Sequence, residues 1–125
     1  MDSATQKRRI ILKGGEDYVV YKTQDIAYFF LQHKTIFLVG FRNGERLRVG
    51  GTLRDIHLML DTADFYRVNK NYIVHIQAIV CLRSCDVSKV ELILDPPAAE
   101  PVFISQLRTS DFREWIERSA VNDEA

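Results

Sequence analysis

Three observations predict a mainly β fold with one or two short helices. Apolar and β-branched residues come in short runs of strand length. Glycine, Asn-Gly and proline punctuation separates those runs at close intervals, as at Gly14-Gly15, Asn43-Gly44 and Pro96-Pro97. Only two segments, around Leu53–Leu60 and Phe112–Ile116, space their apolar residues by three or four.

Residues 1–8 are polar and read as a flexible tail or linker remnant. Arg9–Lys13 is a short strand closed by Gly14-Gly15, and Asp17–Lys22 returns from it as the second arm of a hairpin. The aromatic-rich run Ile26–Leu31 suits a well-buried strand. A polar connection, Gln32-His33-Lys34-Thr35, leads to the return strand Ile36–Phe41. Arg42-Asn43-Gly44-Glu45 contains Asn-Gly, the strongest short hairpin signal, because both central residues of the tight turn need positive φ. Arg46–Val49 closes that hairpin, with Arg46 and Arg48 on one face and Leu47 and Val49 on the other.

Gly50-Gly51 ends the strand, and Thr52 followed by Asp55 resembles a capping box. Leu53, Ile56, Met59 and Leu60 form the stripe of a short helix. After the central segment Phe65–Val74, strands are expected at Ile79–Arg83 and Val90–Leu94, joined by a turn over Ser84–Ser88. Pro96-Pro97-Ala98-Ala99 is excluded from a sheet interior and reads as a loop. Pro101–Ile104 is a last strand, and Ser105 is placed to cap a C-terminal turn or helix carrying Phe112, Trp115 and Ile116. One domain over 9–118 follows, with 119–125 as a frayed tail.

Composition narrows the function classes. At 46% hydrophobic and 27% charged residues the chain is not globally disordered. Net charge is zero, so bulk charge does not announce a nucleic-acid partner. Residues 1–50 nevertheless carry nine Lys/Arg against five Asp/Glu, and residues 51–125 carry eight against twelve, which allows a local basic face. With no long apolar run and no signal-peptide core, a cytoplasmic protein without a membrane partner is expected. Cys81 and Cys85 have neither redox nor zinc spacing and read as plain thiols. His33, His57 and His75 stand near no serine, cysteine or carboxylate at a spacing that implies an activated nucleophile, and no phosphate loop is present. The expectation is no enzymatic activity, no cofactor and no metal.

The best material for chemistry lies in Phe65-Tyr66-Arg67-Val68-Asn69-Lys70-Asn71-Tyr72-Ile73-Val74. Asn69, Lys70 and Asn71 place one cation and two carboxamides on a single turn, suited to phosphates and base edges. Residue types alone leave open that the asparagines merely form the turn and Lys70 is solvated. His33, Lys34 and Thr35 make a second polar tip, and Gln106 with Arg108 a third. Arg46 and Arg48 suit phosphate contact or, equally, the guarding of a sheet edge.

These pieces together resemble a LytTR-type DNA-binding domain of bacterial response regulators, over nearly all of residues 9–116. The family pattern Phe-x-Arg-x-His-Arg-Ser-Tyr-Ile-Val-Asn is matched by Phe65, Arg67, Tyr72, Ile73 and Val74. Gly51-Thr52-Leu53-Arg54-Asp55-Ile56 is similar to its Gly-Ser-Leu-Lys-Glu-Leu helix start, and Asp25-Ile26 and Ile104-Ser105 fall in their expected places. The resemblance implies about ten strands in three small antiparallel sheets, and loops rather than a recognition helix entering successive major grooves. It carries DNA contact over to His33-Lys34-Thr35, Asn69-Lys70-Asn71 and the segment opening with Ser105-Gln106.

Lys70 stands in place of the usual arginine, Asn69 in place of histidine, His75 in place of asparagine, and Gln106-Leu107 where many members have paired arginines. Sequence-specific binding of double-stranded DNA by a transcriptional regulator is therefore expected, on imperfect direct repeats and with a possible homodimer on the DNA. A receiver domain or sensor kinase is the expected signalling partner, whether the chain is a fragment of a larger regulator or free-standing. The alternative is a degenerate module of this type that has become a protein-interaction domain.

Overall fold

The structure, a computed structural model, describes residues 9–86 and 89–122. Among the described residues, ten strands form three separate antiparallel sheets, accompanied by two α-helices. The first sheet is the hairpin of β1 (Arg9–Gly14) and β2 (Asp17–Lys22), turned at Gly15 with φ of +69°. That left-handed backbone is free of steric cost only for glycine.

The central sheet has five strands in the order β5-β4-β3-β7-β6. They are β3 (Ile26–Gln32), β4 (Thr35–Gly40), β5 (Arg46–Val49), β6 (Phe65–Asn69) and β7 (Tyr72–His75). The β4–β5 turn has Asn43 and Gly44 at φ of +63° and +58°, as the Asn-Gly signal requires. Between β5 and β6 lies helix α1 (Leu53–Leu58), whose N-cap Thr52 accepts from the Asp55 amide at 3.1 Å. This matches one half of the expected capping box. The helix is shorter than its apolar stripe, since Met59 already caps it and the buried Leu60 follows outside.

The third sheet, in the order β10-β9-β8, comprises β8 (Ile79–Asp86), β9 (Lys89–Leu94) and β10 (Val102–Phe103). Strand pairing continues through Ser84 and ends with Asp86 opposite Lys89, where a turn over Ser84–Ser88 was expected. Cross-strand hydrogen bonding to β9 holds these polar residues in the ladder despite their turn-forming chemistry, while positions 87–88 lie outside the described residues. Helix α2 (Thr109–Asn122) follows. The expected tail over 1–8 and the end of the chain from 123 lie outside the described residues.

Both faces of the central sheet are covered, which explains why β3 reads as a continuous apolar run rather than an alternating one. Tyr28 and Phe30 point to one side, into a core with Val39 and Val74 of the same sheet, Leu92 and Val102 of the third sheet, and Phe112 and Trp115 of α2. Phe29 points to the other, against Ile10 and Leu12 of the first sheet and Leu53 and Ile56 of α1. Trp115 also donates its indole N–H to the Thr62 carbonyl at 2.9 Å, which fastens α2 to the segment before β6. At the far end of β7 the buried His75 accepts at Nδ1 from the Gln77 amide at 3.0 Å, with Phe41 and Phe65 edge-on to its ring.

Candidate nucleic-acid interface

Sheet topology decides which of the expected site residues meet. Strand β3 runs antiparallel to both β4 and β7, with Gln32 opposite Thr35 and Phe30 opposite Tyr72. The β3–β4 turn and the β6–β7 turn therefore leave the same end of the central sheet. A backbone bond from the Leu31 amide to the Asn71 carbonyl, at 2.9 Å, ties them together.

The first tip is a tight turn with His33 and Lys34 at φ of +50° and +64°. Both are exposed, and Thr35 beside them donates its hydroxyl to the His33 carbonyl at 3.4 Å. A two-residue hairpin demands positive φ at both positions, where Asn-Gly is the usual choice. Here two bulky residues accept it, and such backbone strain tends to sit where side-chain identity is needed.

The second tip is held from inside. Arg67 reaches from β6 to the turn, donating from Nη2 to the Lys70 carbonyl at 2.9 Å and from Nε to the Asn69 carbonyl at 3.3 Å. The Asn69 side chain accepts from the Asn71 amide at 2.7 Å and donates to the Phe103 carbonyl at 2.6 Å. Its carboxamide thus bridges the turn and the neighbouring sheet, so one lone pair and one N–H are already engaged. Lys70 at the apex is exposed, which leaves it as the outward cation of this tip.

The third segment is a single 3-10 turn, Gln106–Arg108, ahead of α2. Ser105 precedes it without a side-chain cap bond, contrary to the expected capping role. Its carbonyl instead accepts from the Arg108 amide at 2.9 Å and from the Thr109 hydroxyl at 3.2 Å. The turn is laced to β6 by two further bonds: the Ser105 amide to the Val68 carbonyl at 2.9 Å, and Arg108 Nη1 to the Arg67 carbonyl at 2.6 Å. The second and third segments are therefore one unit, in which Lys70, Gln106 and Leu107 are each exposed.

The same unit holds half-buried positive charge. Burial first, and then the neighbouring Arg108, pulls Arg67 below the usual arginine value. His57 on α1 is lowered by burial and then by the charges of Arg67 and Arg108, so its imidazole favours the neutral form. Arg46 is not part of this group. It lies opposite Val39, well up the strand, with its guanidinium carbon 5.5 Å from the centre of the Phe30 ring. Arg48 is exposed opposite Phe37, two positions along β4 from Thr35, roughly 7 Å at the usual strand rise.

Two residues were not singled out from sequence as parts of the site. Arg67 is the internal brace of the second tip, and its two-residue offset from Asn69 on one strand was the available signal. Leu107 is 94% exposed between Gln106 and Arg108, and an isolated leucine in a polar loop gives no periodic signal. Among the described residues no His, Cys, Asp and Glu side chains gather into a group that could hold a metal ion. Cys81 and Cys85 are free and exposed, and no described helix is long and apolar enough to cross a membrane.

What the arrangement offers is a set of polar tips at one sheet end, with the outward cations Lys34 and Lys70, amide and imidazole donors, and positive charge behind them. Such a surface suits a polyanion with readable edges, and the fold defines a mainly β module that presents loops at one end of its central sheet. The model of the LytTr DNA-binding domain family matches residues 16–117, and the chain belongs to that family. A solved LytTr DNA-binding domain from Bacillus cereus has the same fold, with a TM-score of 0.73 at 20% identity over 88% of this chain and 97% of that one. No curated protein matches the chain.

Proposed function

We propose that this chain binds double-stranded DNA sequence-specifically as the output domain of a cytoplasmic transcriptional regulator in two-component signalling, without enzymatic activity. The observation that carries this reading is the convergence of His33-Lys34-Thr35, Asn69-Lys70-Asn71 and Gln106–Arg108 at one end of the central sheet. Hairpin tips fixed to a rigid sheet enter the major groove, where base edges are distinguishable. His33, Lys34, Lys70 and Gln106 face bases and phosphates. Asn69 and Asn71 shape the tip that presents Lys70, and Arg108 holds that tip while adding positive charge. Arg48 and, further up the strand, Arg46 meet the phosphate backbone beside the first tip. Two copies occupy imperfect direct repeats.

A bind-and-sequence selection with fragmented genomic DNA near physiological salt tests this. Enrichment of one shared motif is expected, as spaced repeats if copies bind in pairs. Retention without a motif would reduce the activity to non-specific electrostatics. A folded sample that retains no DNA would overturn the reading in favour of a protein-interaction module.

A further inference from the structure

Resting on the DNA-binding reading above, we infer that Leu107 reads a thymine by covering its 5-methyl group in the major groove. Leu107 is 94% exposed, more than any other large apolar residue among the described ones. It is not on a loose loop. Its turn is pinned on both sides, by the Ser105 amide on the Val68 carbonyl and by Arg108 Nη1 on the Arg67 carbonyl. Asn69 fastens the strand leading into it through the Phe103 carbonyl at 2.6 Å. The fold thus holds an isobutyl group in water, on a turn bonded to the strand that leads to Lys70, with its backbone ordered in advance.

Among the groups displayed by the major groove, the thymine methyl is the one apolar feature, and an aliphatic side chain is its natural complement. Gln106 next to Leu107 supplies a donor and an acceptor, so the turn presents an apolar and a hydrogen-bonding contact to adjacent positions. The contact leaves the affinity for phosphates unchanged, because leucine carries no charge. It adds affinity only where a thymine methyl meets it.

The test uses the full chain and the site recovered by selection, with each thymine replaced in turn by deoxyuridine, which lacks only the methyl. For the parent chain one position should weaken binding about fourfold, the weight of one buried methyl group. The same replacement should leave the affinity of Leu107→Ala unchanged, and the slope of affinity against salt should be equal in the two proteins. Trp115 fluorescence in a denaturant titration reports that the variant is folded.

A parent that binds its site tightly but is insensitive at every thymine overturns the inference while leaving the DNA-binding reading intact. So does a Leu107→Ala variant that stays as sensitive as the parent. If a second copy covers Leu107 instead, Leu107→Ala lowers cooperativity on repeats and keeps single-site thymine sensitivity, which also overturns it. A parent that binds no DNA removes both.

Discussion

Arg108 donates from Nη1 to the backbone carbonyl of Arg67 at 2.6 Å, joining the turn before α2 to the strand that carries the Asn69-Lys70-Asn71 tip. Two like-charged side chains come together here because each guanidinium serves a carbonyl rather than a carboxylate. A charge-assisted bond of this kind contributes about 1.5–3 kcal/mol. Arg108→Ala is therefore expected to lower stability by about 2 kcal/mol in denaturant unfolding, and Arg108→Lys to recover little of it because the planar fork is lost. Equal stability of all three proteins would show that the bond contributes nothing.

Lys70 and Asn69 separate into different roles when each is replaced. Lys70→Ala removes an exposed side chain and should change stability by less than about 0.5 kcal/mol. It should weaken DNA binding and reduce the salt slope by about one phosphate contact. Asn69→Ala strands the Phe103 carbonyl and the Asn71 amide, and should cost about 1–3 kcal/mol of stability along with base preference. A stable Asn69→Ala protein with altered base preference would move Asn69 from brace to direct reader.

Lys34→Gly probes the left-handed turn. Glycine takes φ of +64° without the steric cost that lysine bears, offset in part by the greater freedom it gives the unfolded chain. The expected outcome is a gain of up to about 1 kcal/mol in stability together with weaker DNA binding. If the variant is stabilised and binds DNA as before, Lys34 has no part in recognition.

His75 makes stability depend on pH. Burial holds its imidazole below the ordinary value of 6.5, with Asp64 opposing that shift, and Nδ1 must stay unprotonated to accept the Gln77 amide. The unfolded chain binds this proton near 6.5 while the folded chain does not. Stability contributed by neutral burial is thus complete above that value and is lost as pH falls from it toward the lower folded value. His57 shares the direction, through burial and its arginine neighbours, so His75 accounts for part of the slope. Comparing denaturation midpoints at about pH 7.5 and about pH 5.5 should give a smaller difference for His75→Asn than for the parent. Identical differences would assign the acid sensitivity elsewhere.

Local chemistry was legible in the residues, and distant partnerships were not. Asn43-Gly44 and Thr52 announced their turn and cap because the groups that satisfy the backbone lie within three residues. The continuous run in β3 announced a buried strand, while its burial on both faces emerged only with the two cores that flank it. By contrast, the expected cap at Ser105 failed because its amide goes to Val68 and its carbonyl takes the bonds that its hydroxyl was to accept. The Asn69 carboxamide was legible as a polar turn group, but its bond to Phe103 spans 34 residues. The extension of β8 through Ser84 likewise depends on a partner strand whose register no local pattern encodes. At the site, the three tips could be named from the chain, while their gathering at one end depends on β3 pairing with β7 across some forty intervening positions.

The closure of both faces of the central sheet also makes the module adaptable. Packing is completed by residues such as Phe29 and Phe30, before the turns begin. His33, Lys34, Lys70, Gln106 and Leu107 are exposed and take no share of either core. These five positions can be randomised together while the braces Arg67, Asn69 and Arg108 are kept. On the proposed DNA-binding reading, a library built on them is a starting point for selecting variants that address new operator sequences, with the interior left untouched.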